Sequence, residues 1–418
     1  WSAMYTLSKG VLKMTAQFPP LSEKDASFAY LEVSKSGMDT WSQIAKADIK
    51  FPGWYATFKI NNWDDNQTYD YRIKYSLKTN SDKDSVYYYK GVIEKDPKAK
   101  SEIKIAAISC SNHNNSLTSA KYDFTIDNIW FPHKEIVDGV NSRKPDLIVH
   151  LGDQFYEGNP TNCDKSGGFS SYLDYIYHWS MWCMAYGDLS RNVPTLMLVD
   201  DHDVYQINLW GQEGDEHSWP SLKWNELTPE NYKNRWWQYE TDGGGYTLPG
   251  RWVNMVQRTM TSHMPDPPDP TPVKQGIEVY FTDILYGNIS FALVEDRKFK
   301  TAASPLFPDA KIIDGRPENL NFNVCTKANI KDAKLLGDRQ LKFLENWVTD
   351  WDRVDMKCLL SQTIFTNLST TNAKTNAKDN MKEIEGLMPG QIPNKDHILL
   401  PDFDSNSWPQ HERNKVLE

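Results

Sequence analysis

The sequence predicts two parts in series, an N-terminal β-sandwich over residues 1–98 and an α/β domain over residues 99–418. Three observations carry that division. In the first part apolar residues alternate with polar ones, as at Tyr69, Tyr71, Ile73 and Tyr75 in Thr-Tyr-Asp-Tyr-Arg-Ile-Lys-Tyr, and a period of two buries one face of a strand. From Lys104 onward the pattern changes to short continuous apolar runs separated by helical stretches, the mark of parallel strands covered on both faces. The clearest run, residues 147–151, is broken by Gly152 and followed at once by Asp153, Tyr156 and Glu157. In open α/β sheets ligands bind just beyond the carboxyl ends of the strands.

Within the first part, Ala56-Thr57-Phe58-Lys59-Ile60 and Val86-Tyr87-Tyr88-Tyr89 read as further strands, and the polar cluster Asn62-Trp63-Asp64-Asp65-Asn66 as a turn between strands. Thr68-Tyr69-Asp70-Tyr71 resembles the late strand of fibronectin type III-like (immunoglobulin-like) domains. No metal or catalytic constellation falls here. Residues 94–100 read as the linker.

The second part opens with an apolar strand over 103–109 that ends at Cys110-Ser111. A helix is expected from near Pro132, since proline suits the first helical turn, through Ile136 and Val140. That crossover is long enough to join two parallel strands, and Pro145 marks where the chain leaves helical geometry before the strand at 147–151. Residues 169–186 carry aromatics at helical spacing. A third buried-type strand, 194–199, ends in Asp200-Asp201-His202-Asp203. An insertion rich in Trp and Gly follows from 205 to 272 and closes with an irregular, Pro-dense surface loop at 264–272. Further strands are expected near 277–284, 289–294 and 357–363, with an amphipathic helix opening at Leu336.

The 418 residues include 13% aromatics, with 16 Trp and 21 Tyr, enough to build a large core and to exclude a disordered chain. A net charge of −10 argues against nucleic acid or an anionic membrane as the main partner. It leaves an anionic substrate open, because bound cations would dominate the local field. No apolar run approaches the roughly 18 residues of a membrane span, and no targeting segment is visible in a sequence that opens at Trp1. The five cysteines, Cys110, Cys163, Cys183, Cys325 and Cys358, are odd in number, so at least one is unpaired within the chain.

Three successive strands therefore end in Cys110, Asp153 and Asp201-His202. Taken singly, each has a plain reading: a Cys at a strand end is usually a small buried hydrophobe, and a His among acids is usually a salt-bridged surface residue. Parallel strands bring their carboxyl ends together, however, so these groups should converge. A thiol, carboxylates, a phenol and an imidazole are expensive to assemble without cations.

Gly152-Asp153-x-x-Tyr156, then a strand, then Asp200-Asp201-His202-Asp203 resembles the PhoD-like alkaline phosphatases and phosphodiesterases, a branch of the metallophosphoesterases. Ser109-Cys110-Ser111, Val294-Glu295-Asp296-Arg297, Leu336-Gly337-x-x-Gln340 and Trp408-Pro409-x-x-Glu412-Arg413 fit the same pattern, as does an N-terminal sandwich. The resemblance implies an αββα metallophosphoesterase-type domain with a dinuclear Fe3+ and Ca2+ site. It implies that Cys110 and Tyr156 ligate the ferric ion, that Asp153 bridges to the second cation, and that Asp201 ligates that cation where other members place the Asn of Gly-Asn-His. It further implies that His202 is catalytic, that Asp203 orients it, and that Asp296 and Arg297 support the site from behind. The reaction implied is hydrolysis of a phosphoester substrate by in-line attack of a metal-bridging hydroxide. The location implied is exported: periplasmic, extracellular or cell-surface.

One departure stands out. The family carries a Gly-Asp-x-His-type segment near its C-terminus, and none follows Trp408. The expectation is that the sequence is a piece of a longer protein, lacking the C-terminal part of the domain, and that these 418 residues bind metal weakly and hydrolyse little. Two alternatives stay open. A catalytically degenerate PhoD-like protein would serve surface binding or assembly. A purple-acid-type monoesterase would also use Gly-Asp-x-x-Tyr, but with Gly-Asn-His where this chain has Asp200-Asp201-His202.

Overall fold

Strand alternation builds the N-terminal part. In the computed structural model, which describes residues 1–78, 84–112, 133–217, 242–319, 321–367, 369–372, 385–388, 390–392 and 394–418, seven strands make two antiparallel, sandwich-like sheets. β1 (Ser2–Ser8), β2 (Val11–Gln17) and β5 (Tyr55–Asn61) form one, in the order β1-β2-β5. The other has the order β4-β3-β6-β7, from β3 (Phe28–Lys35), β4 (Ser42–Asp48), β6 (Tyr69–Lys78) and β7 (Asp84–Ile93). Tyr71, Ile73 and Tyr75 of β6 are buried with Leu12, Met14, Ala29 and Leu31 in one core, the alternation expected of a half-buried strand.

β1 departs from alternation, for all seven of its residues are buried. Its second face is covered by the rest of the molecule. Tyr5 donates to the Asn192 carbonyl at 3.2 Å and Thr6 to that of His263 at 2.6 Å. On the neighbouring strands, Lys13 and Lys59 stand opposite each other in register, a repulsive pairing that Asp266 offsets with one oxygen to each, at 2.8 and 2.6 Å. Apolar packing continues from Tyr5 and Tyr71 to Trp182, Leu196 and Phe291 as one cluster. The expected linker is tied down as well: Asp96 accepts from the backbone of Lys98 and of Gly287, each at 3.0 Å.

Beyond it, β8 (Ile105–Ile108), β9 (Leu147–His150) and β10 (Thr195–Met197) form a parallel sheet in the order β10-β9-β8. β9 is central and all four of its residues are buried. The crossover from β8 to β9 includes α1 (Lys134–Arg143), and the connection from β9 to β10 includes α2 (Phe169–Ser190). Trp179 and Trp182 of α2 stack at 4.6 Å, and Trp179 donates to Gln17 of the sandwich at 3.0 Å. α3 (Gly250–Thr261) lies in the insertion. A second, mixed sheet pairs β11 (Thr282–Tyr286) antiparallel with β12 (Ile289–Leu293). α4 (Asp296–Phe299) follows directly. After the ribbon of β13 (Ile312–Ile313) and β14 (Arg316–Pro317) and the helix α5 (Gly337–Thr349), β15 (Met356–Leu360) joins that sheet parallel to β12. β16 (Ser369–Asn372), β17 (Glu385–Gly386) and β18 (His397–Leu400) make a small antiparallel sheet before α6 (Gln410–Leu417). The chain is thus mixed α/β with several antiparallel sheets.

Several expected strands are shorter than their apolar runs, and two of them for one shared reason. The run at 277–284 becomes a strand only at Thr282, because the N–H groups of Tyr280 and Phe281 donate to the buried Glu295 carboxylate at 2.7 and 3.0 Å. The run at 357–363 stops at Leu360, because Gln362 and Thr363 donate to Asp296 at 3.2 and 2.6 Å. Pro132 and the Trp-rich stretch 218–241 lie outside the described residues. All five cysteines are free thiols. Among the described residues no helix is long and apolar enough to cross a membrane.

Candidate metal centre

The site is assembled where the loops after β8, β9 and β10 meet. Gly152 makes the meeting possible. Its φ is 111°, and a Cβ there would lie 2.5 Å from the Cβ of Asp200, so only glycine lets the two loops touch. Cys110 and Asp153 sit at φ 57° and 54°, a strained conformation for residues with side chains and one that concentrates at functional sites. The loops are also bracketed through the backbone: Cys110 N–H donates to Gly152 O at 3.2 Å and Ser111 N–H to Asp153 O at 2.8 Å.

Asp203 is the anchor beneath. Its carboxylate accepts from the backbone N–H groups of Asp153 (3.1 Å), Gln154 (2.8 Å) and Asp200 (2.9 Å), and from the Gln154 side chain at 3.0 Å. It therefore fixes one loop to the other. The expectation that it orients His202 is corrected: the carboxylate on the imidazole is Glu157, whose Oε2 lies 2.6 Å from Nδ1.

Above that anchor, Asp153, Asp201 and His202 each offer a ligand atom, and these atoms lie within 4.8 Å of one another. Asp153 is buried. Its Oδ2 accepts from the Tyr156 hydroxyl at 3.0 Å and from the Cys110 thiol at 3.7 Å, while its Oδ1 is buried with no hydrogen-bond partner. Burial, then the nearby Asp200 charge, pushes its carboxyl up to about 7. Burial and then Asp153 likewise raise Asp201. Burial alone would make His202 less basic, but the Glu157 hydrogen bond and then the Asp201 charge outweigh it and carry the imidazole to about 10. Burial raises the Cys110 thiol and the Tyr156 phenol, the phenol further because Asp153 is beside it.

Of the residues the sequence singled out, Asp153, Asp201 and His202 form the cluster. Cys110 and Tyr156 border it through Asp153, and Cys110 lies outside the close triad. His202, expected only as a catalytic group, stands among the possible donors. Arg297 stands behind the ligand-bearing loop, as an ion-pair partner of Asp200 at 2.8 Å and of Asp404, and Asp296 holds the backbone after β15. Two participants had no assigned role in the sequence reading. Glu157 stood in the motif itself, one residue after Tyr156. Asp404 gave no signal, because it is 107 residues from Arg297.

A buried carboxylate oxygen without a donor, two raised carboxyls and an imidazole suit a bound cation, which would supply the missing positive partner. No family model and no curated protein matches the chain. Among solved structures, the crystal structure of the Group B Streptococcus pullulanase SAP is similar at a TM-score of 0.15 with 9% sequence identity, over 62% of this chain and 44% of that one. The chain spans less than half the length of that structure, and the likeness is too slight to carry an argument.

Proposed function

We propose that the chain is a metal-dependent phosphoester hydrolase of the PhoD-like alkaline phosphatase and phosphodiesterase type, with a phosphoester as substrate. The observation that supports this reading most is the convergence of Asp153, Asp201 and His202 just past parallel strands, with Asp153 Oδ1 unpartnered. In this reading the sheets β8-β9-β10 and β11-β12-β15 are the two inner layers of an αββα domain, and the protein is exported.

The residues divide their work as follows. Asp153 and Asp201 hold the cations, an Fe3+ and Ca2+ pair in this reading, with Tyr156 and Cys110 serving the iron. When bound, such ions polarise a phosphoryl oxygen and lower the pKa of water toward neutrality. His202, held at Nδ1 by Glu157, donates a hydrogen bond to the phosphoryl group or the leaving oxygen. Arg297 is spent on Asp200 and Asp404, so it does not clamp the substrate. Asp203 keeps the two ligand-bearing loops in register.

The test is hydrolysis of bis(p-nitrophenyl) phosphate and p-nitrophenyl phosphate by the chain supplied with Fe3+ and Ca2+ in excess. Hydrolysis that disappears in Asp153→Asn is the expected result. Hydrolysis undiminished in that variant would overturn the reading, and metal retention without hydrolysis would favour the binding or assembly alternative.

A further inference from the structure

Glu157 is held with more care than a loop carboxylate needs. The backbone around it is closed on itself: Cys163 N–H donates to the Glu157 carbonyl at 2.8 Å and Asn159 N–H to that of Tyr156 at 3.1 Å. Its side chain is 12% exposed. Oε2 is on His202 Nδ1 at 2.6 Å, whereas Oε1 has no hydrogen-bond partner and Lys165 Nζ stands 3.9 Å off. The same loop supplies a second restraint, for the Tyr156 ring lies 4.0 Å from the imidazole, centroid to centroid, at 39°. The ring is thus fixed at one nitrogen by Glu157 and across its face by Tyr156.

A histidine has two unlike nitrogens, and the hydrogen bond at one decides what the other can do. A carboxylate on one ring nitrogen of a histidine in a metal site sets both its orientation and its basicity. We propose that Glu157 is the positioning residue of this site: it takes the Nδ1–H of His202 and leaves Nε2 as the only ring nitrogen presented to Asp153 and Asp201. The catalytic consequence rests on the hydrolase reading above, whereas the pairing does not. The acid that follows His202 in sequence, Asp203, is unable to serve, because its oxygens are taken by the loop N–H groups. Glu157 lies outside the cluster of Asp153, Asp201 and His202, so removing it should act only through His202.

Two arms test this. In 1H NMR of the folded, metal-free chain, the Nδ1 proton of His202 should give a resonance shielded from solvent exchange, absent from both Glu157→Ala and His202→Gln. In hydrolysis of bis(p-nitrophenyl) phosphate, Glu157→Ala should lower kcat by about 10–100-fold with KM nearly unchanged. Glu157→Gln, whose amide oxygen still accepts from Nδ1–H, should recover part of that loss and keeps the test available where the alanine variant does not fold. In a His202→Gln background, Glu157→Ala should lower kcat by less than about twofold, the non-additivity of residues that act as a unit. An Nδ1 resonance that survives Glu157→Ala, or a full further loss in the His202→Gln background, would overturn the proposal. A wild-type chain inert with both metals present would remove the hydrolase reading instead, and the NMR arm would still decide the pairing.

Discussion

Among the described residues of the β-sandwich the charged side chains that are buried are Lys13 and Glu32, and each has a partner, Asp266 at 2.8 Å and Arg72 at 2.6 Å. Between Asp153 and Lys300 the buried set includes Asp153, Asp200, Asp201, Asp203, Glu295, Asp296, Arg297, Lys298 and Lys300. Most of these are compensated. Arg297 serves Asp200 and Asp404, Lys298 serves Glu295, and Asp203 and Asp296 are surrounded by backbone donors. Asp153 and Asp201 form no ion pair with Lys or Arg among the described residues, and their near cation is His202. The contrast separates ionic groups that hold the fold from those that do not. Burying a charge without full compensation opposes folding, so the uncompensated pair is where function is to be sought.

That separation can be broken from either side. His202→Ala should lower kcat by roughly 10²–10⁴-fold, the range for a positioned acid–base group, with a smaller loss of urea stability because Glu157 is left without its imidazole partner. A stability loss as large as the activity loss would put His202 with the structural ions. Arg297→Ala should do the reverse first: it leaves Asp200 and Asp404 buried without their cation, which costs about 3–5 kcal/mol, read as a drop in the urea midpoint. A variant of unchanged stability would mean that the Asp200–Arg297–Asp404 cluster is not structural.

Acid should sharpen the contrast through two buried histidines outside the metal cluster. Burial drives His150 and His263 down to about 3, against about 6.5 in the unfolded chain. Between those values the unfolded state binds more protons. Their contribution is therefore complete above about pH 6.5 and falls as the pH drops toward 3, by about 1 kcal/mol per pH unit for each histidine. His263 donates from Nε2 to Thr195 O at 2.8 Å, so His263→Gln should flatten roughly half of that slope in urea melts between pH 7 and pH 5. An unchanged slope would exclude His263. The smallest effect is expected at the sandwich edge, where Lys9 and Asp283 pair at 2.6 Å with the lysine side chain half exposed. Lys9→Ala should cost less than about 1 kcal/mol, and a larger loss would mean that this contact clamps the two parts together.

The sequence revealed what short-range pattern controls. The alternation at Tyr71, Ile73 and Tyr75 located a sandwich strand, and the runs closed by Gly152 and Asp200 located the parallel strands and the loops that carry Asp153 and Asp201. It did not reveal partnerships set by distant chain. Nothing local announces that Asp404 answers Arg297, that Glu295 takes the N–H groups of Tyr280 and Phe281 and shortens β11, or that β1 is covered on both faces. Asp203 misled for a related reason: adjacency to His202 suggested an orienting acid, but the turn after β10 spends its oxygens on the neighbouring loop. Glu157, four residues past Asp153, reaches the imidazole because the β9 loop folds back over it.

The central claim is that Asp153 and Asp201 hold a cation beside His202. Elemental analysis measures this most directly, on the chain at dialysis equilibrium with excess Fe3+ and Ca2+ and corrected for the free ions, alongside Asp153→Asn and the sandwich-edge variant Lys9→Ala. Metal retained by the wild type and by Lys9→Ala but lost from Asp153→Asn is the expected result. A wild type that carries no metal, or an Asp153→Asn variant that carries as much, would contradict it.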